Sequence, residues 1–168
     1  MSKNKIFKKA FTLIELLVVM AIMGILIAVA IIGIGIAQRG SRNSSRQSDL
    51  NNVKAALESY YGTNKKYPTS ITLNNSIVTL PSASGGSASN VNLNQPSTSN
   101  AVATVNFSTT DTSDTISSNC KAAANGAGVT SASTWNIAYG TESGTSKPQR
   151  YALCGSQESG DVFDLSSK

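Results

Sequence analysis

The sequence predicts an α+β chain: a long N-terminal α-helix, apolar in its first half and amphipathic in its second, packed on a small antiparallel β-sheet head. Three observations carry that expectation. Leu16 to Ala37 is 22 residues without a charge. Leu50, Val53, Leu57 and Tyr60 recur downstream at helical spacing. The remainder sets short β-branched or aromatic runs between polar turns. With 168 residues there is room for one small domain on such a helix and not for a second.

The first element is a hydrophilic leader, residues 1–10, with Lys3, Lys5, Lys8 and Lys9 and no acid. The net charge of +5 is mostly this leader; beyond it 10 basic side chains face 9 acidic ones. The basic balance therefore reads as a topogenic signal and only weakly as a nucleic-acid surface, which needs a clustered basic face. Lysines ahead of the first span keep the leader cytoplasmic and send the downstream chain outward, against competition from Arg39, Arg42 and Arg46.

The second element, residues 11–37, spans roughly 33 Å over its 22 uncharged residues at 1.5 Å per residue, enough to cross a bilayer. A secretory signal core is shorter and ends at a small-residue cleavage site; this run continues into helical pattern without proline. Glu15 stands just inside its start. A carboxylate in hydrocarbon costs a few kcal/mol, so it is expected to have a specific partner rather than to snorkel to the headgroups.

The block Lys9-Ala10-Phe11-Thr12-Leu13-Ile14-Glu15 resembles the class III leader of type IV pilins and of type II secretion pseudopilins, with a second family-like stretch near residues 50–70. The resemblance implies cleavage by a prepilin peptidase between Ala10 and Phe11, N-methylation of Phe11, and retention of the apolar helix. Ala10 stands where most relatives have Gly, keeping small size. It further implies that the Phe11 amine and Glu15 of neighbouring subunits neutralise each other during assembly. Gly24 is the position where the helix could loosen in a filament, or a glycine merely tolerated in the span.

The third element, residues 38–62, continues the helix. Arg39, Arg42 and Arg46 form a stripe on one face, either solvated or at headgroups, or pairing with acids of neighbouring subunits. Leu50, Val53, Leu57 and Tyr60 cover the head, and Gly62 is the expected stop.

Residues 63–168 form the head. From Thr69 to Asn119, 29 of 51 residues are Ser, Thr or Asn, which predicts strands at Ser76–Leu80 and Ala101–Ser108 joined by polar loops. Ser82–Asn100 is the expected loop for glycans or surface contacts. Trp135, Ile137 and Tyr139 should pair with Tyr151 and Leu153 across a loop at Gly140–Gln149, and Val162–Leu165 should complete the sheet. Cys120 and Cys154 lie in the outward part and would pair in an oxidising compartment, the alternative being two buried thiols.

Chemistry points away from an enzyme. There is no His, the carboxylates are scattered singly, and no phosphate-cradling motif is present. No cofactor is expected, and two thiolates alone make a poor zinc site. The resemblance implies a pilus subunit serving adhesion, motility or DNA uptake, inner-membrane as precursor and extracellular as filament. Its partners would be identical or related subunits, the prepilin peptidase and an inner-membrane assembly platform. A secretion pseudopilin is the alternative; in that branch calcium binds a C-terminal acidic loop, and Glu158, Asp161 and Asp164 leave a weak site open. A monomeric membrane-anchored binding domain is the third reading. Lys121, Lys147 and Arg150 could offer DNA a small basic surface.

Overall fold

The structure, a computed structural model, describes residues 11–74, 76–82, 88–94, 103–108, 110–126, 135–145 and 147–167. The leader with Ala10, and most of the Ser82–Asn100 loop, lie outside them. The chain divides into two compact units, residues 1–38 and 39–168.

Helix α1 covers Leu13–Asn64 and contributes to both units. In the first unit every described side chain is exposed, from Phe11 onward, although most are aliphatic. This stretch is long and apolar enough to cross a membrane. In the second unit Leu50, Val53 and Leu57 are fully buried and Tyr60 is partly buried. The helix passes the expected Gly62 stop. Lys65 takes the left-handed conformation with φ 54° and its N–H bonds the Tyr61 carbonyl at 2.8 Å, a termination by backbone geometry that glycine usually supplies.

The head carries two sheets. The first is antiparallel, β1 (Thr72–Asn74), β2 (Ile77–Leu80) and β3 (Ser89–Asn92) in that order. Leu73, Val78 and Leu80 point inward while Thr72 and Asn74 face solvent, the period-two pattern of a half-buried sheet. The second has five strands: β4 (Ala103–Thr104), β5 (Phe107–Ser108), β6 (Ile137–Ser143), β7 (Tyr151–Ser156) and β8 (Val162–Asp164).

The expected antiparallel sheet is present as β1–β2–β3, and the second sheet, which is mixed, adds to it. Strands β4 and β5 run parallel to β6, and parallel neighbours need a crossover. Helix α2 (Ser113–Gly126) supplies it in a segment expected to be strands and loops. The Thr112 hydroxyl accepts the Thr115 N–H at 3.3 Å, an N-cap that starts the helix. Ile116, Cys120 and Ala124 are its buried face. Strand β6 also runs through Gly140 to Ser143, where a loop was expected to begin.

Both faces of the β6–β7 pair are covered. Trp135, Ile137, Tyr139, Tyr151 and Leu153 join the cluster under the α1 stripe, while Ala138, Ala152 and Cys154 join Ile116 and Cys120 under α2. The alternation thus assigns large residues to α1 and small ones to α2. Two glycines permit these approaches. A Cβ on Gly140 would overlap the Val105 carbonyl, and one on Gly155 would lie 2.5 Å from Leu50 Cδ1 and 3.0 Å from Trp135.

Candidate functional site

The N-terminal segment is organised by Thr12 and Glu15. The Thr12 N–H and hydroxyl each donate to Glu15 Oε2 at 2.9 Å, and the Glu15 N–H donates to Thr12 Oγ1 at 3.3 Å. This is a reciprocal capping box, and it satisfies donors that the first helical turn otherwise leaves open. The pattern Thr-x-x-Glu is visible in the sequence, so the capping partner of Glu15 was readable there. The Oε1 atom takes no part in these bonds. Phe11 is 90% exposed. Phe11 and Glu15 therefore lie within one turn of each other at the start of an exposed apolar helix.

Residues 7–31 match the prokaryotic N-terminal methylation motif. The chain carries the class III signal of type IV pilins and pseudopilins. No curated protein and no solved structure shows significant similarity to the chain. The α+β layout of a long N-terminal helix with a β-sheet head is pilin-like, and the signal with its apolar helix fits a membrane-anchored precursor.

Beyond the span, the arginine stripe finds its acid within the same chain. Arg42 and Arg46 both face Glu158 from the β7–β8 turn, with Nε of Arg42 2.5 Å and Nη2 of Arg46 3.5 Å from Oε1. Arg46 is buried, its guanidinium 6.0 Å from the Trp135 ring centroid. The expectation of a solvated face or of intersubunit pairing therefore gives way, for these two, to an internal clamp. Hydrogen bonding from Arg42 holds the Glu158 carboxyl below its usual range, against a smaller opposing effect of burial. A buried Asp49 accepts the Asn94 N–H at 3.0 Å and its side-chain amide at 2.8 Å, tying the end of β3 to α1.

The other candidate residues are dispersed or engaged. Arg150 Nε donates to Glu142 Oε1 at 2.6 Å, and its other nitrogens donate to the Asp111 and Ser108 carbonyls at 2.9 and 3.2 Å. It is thus withdrawn from the basic surface expected with Lys121 and Lys147, which are exposed. Asp161 accepts from Ser159 at 3.0 Å, and Asp164 accepts from Ser117 and Ser166. Among the described residues Glu158, Asp161 and Asp164 do not converge on one point. Cys120 and Cys154 are joined as a disulfide between α2 and β7.

Proposed function

We propose that the chain is a structural subunit of a type IV pilus filament, cut by a prepilin peptidase between Ala10 and Phe11 and N-methylated on Phe11. The observation that supports this most is the placement of Glu15. Its carboxylate caps an otherwise apolar exposed helix and keeps Oε1 outside the cap. The new amine of a neighbour's Phe11 can approach that oxygen once apolar helices leave lipid and pack together. A buried charge left without its opposite costs about 3 to 5 kcal/mol, so the pairing sets the stagger between subunits. Exposed aliphatic faces with small residues at Gly24, Gly33 and Gly35 then supply close helix contact.

The buried disulfide favours the pilus branch over the secretion pseudopilus. The commitment of Glu158 to two arginines removes one acid from the calcium loop of that alternative. Mass spectrometry of the exported protein should report a methylated Phe11 terminus, and shearing of cells should release the subunit as filaments. An intact Met1 would overturn the processing. Retention in the envelope after normal processing would assign the chain to the pseudopilus, and a membrane-bound monomer would make it an anchored binding domain.

A further inference from the structure

The disulfide lies beside a carboxylate. Cys154 and Asp164 are direct register partners across β7 and β8, so their side chains share one face of the sheet. Helix α2 lays Cys120 on that same face. The two sulfurs and a carboxylate oxygen of Asp164 all lie within 4.8 Å of one another. Asp164 is itself oriented. The Ser117 hydroxyl, one turn before Cys120 on α2, donates to its Oδ2, and the Ser166 N–H donates to Oδ1 at 3.0 Å. Metal-binding carboxylates are commonly held by such outer hydrogen bonds. The sulfurs are fully buried, yet a polar cavity of about 170 Å³, lined by Ser113, Asp114, Ser117, Asp164, Ser166 and Ser167, opens at the carboxylate. An ion could enter there.

We propose that, while its thiols are reduced, the chain carries a binding site for a thiophilic divalent cation of the Zn²⁺ class, made by Cys120, Cys154 and Asp164. Two thiolates alone are a poor zinc site; the third ligand comes from strand register. Sulfur and carboxylate donors at three corners, with water or the Ser117 hydroxyl at the fourth, suit tetrahedral zinc. Binding displaces one proton from each thiol into solvent. Oxidation then competes for the same atoms. A disulfide-bearing acceptor takes two electrons from the thiolates, its own S–S bond breaks, two protons from water protonate its sulfurs, the Cys120–Cys154 bond forms and the cation leaves. The cation would thus hold α2 against β7 and β8 before the permanent link exists.

The full-length chain in detergent, reduced by a phosphine under anaerobic conditions, is titrated with Co²⁺ and then challenged with Zn²⁺. The reduced chain should develop the thiolate-to-cobalt charge-transfer band and visible bands of tetrahedral cobalt, and Zn²⁺ should displace them. The oxidised chain should show neither. Asp164→Asn should weaken Co²⁺ binding at least tenfold, while its oxidised form melts cooperatively with the disulfide formed, showing that the head folds. Absence of the charge-transfer band in the reduced chain would overturn the site. So would Asp164→Asn binding within twofold of the unaltered chain, since the cysteines would then bind without the fold.

Discussion

Arg42 and Glu158, 116 residues apart, meet through two hydrogen bonds, Nε to Oε1 at 2.5 Å and Nη2 to Oε2 at 2.9 Å. Paired bonds from a planar guanidinium to a carboxylate fix orientation as well as distance. The contact fastens the β7–β8 turn to α1. Because the Glu158 carboxyl is held below its usual value of 4.5, its contribution is fully present above that value and is lost as pH falls through the lower folded value. Thermal melts of the full chain should therefore show Glu158→Gln less stable than the unaltered chain at pH 7. The gap should close progressively below pH 4.5. A constant gap across that range would mean that the charge contributes nothing.

Substitutions at Glu15 separate capping from charge. Glu15→Gln keeps an acceptor for the Thr12 donors and loses the charge, whereas Glu15→Val loses both. Both should accumulate as cleaved subunit in the inner membrane while surface filaments fall sharply, and Glu15→Asp should restore only part. Normal filament yield from Glu15→Gln with normal cleavage would leave the cap as the sole requirement.

Cys120→Ser removes a cross-link between residues 34 apart. The chain-entropy relation gives a loss of roughly 3 to 4 kcal/mol. Denaturant unfolding under oxidising conditions should show it, and the difference should shrink when both proteins are reduced without added metal. Equal stability of the two oxidised proteins would exclude the cross-link as a stabiliser.

Gly140→Ala should be severely destabilising, by about 2 kcal/mol or more, because the new methyl meets the Val105 backbone rather than a yielding side chain. Gly62→Ala, in open space on the exposed face of α1, should instead stabilise by roughly 0.5 to 1 kcal/mol. Circular-dichroism melts of the pair would test whether close approach or helix propensity governs each position.

Much of α1 was legible because a period of 3.6 is written locally: Leu50, Val53 and Leu57 could be read without knowing what covers them. Strand β7 was legible through Tyr151 and Leu153 because the period-two alternation of a strand is equally local. Helix α2 was not, since its buried face is Ile116, Cys120 and Ala124 among serines and asparagines that read as loop. Parallel pairing of β4 with β6 depends on residues far apart in sequence and leaves no local mark. The partner of Arg42 and the carboxylate beside the Cys120–Cys154 pair were hidden likewise, because Glu158 and Asp164 reach them only through the β7–β8 turn and its register. At the N-terminus Glu15 was singled out by charge, and the spacing Thr-x-x-Glu already marked Thr12 as its capping partner, which the hydrogen bonds then display.

The crossover from β4 and β5 through α2 to β6 dictates an order of events during folding. Thr141 and Tyr151 pair across a short loop, whereas Ala103 must find Ala138 about 35 residues away, and distant pairings are slower to close. On loop-closure entropy the β6–β7 hairpin is expected to form early and the parallel strands to dock late. Cys120 rides on the crossover helix and Cys154 on the hairpin, so the two sulfurs meet only after both parts have joined. Thiol oxidation would thus serve as a timestamp for completion of the head, with the cross-link expected in chains whose crossover helix has docked on the hairpin.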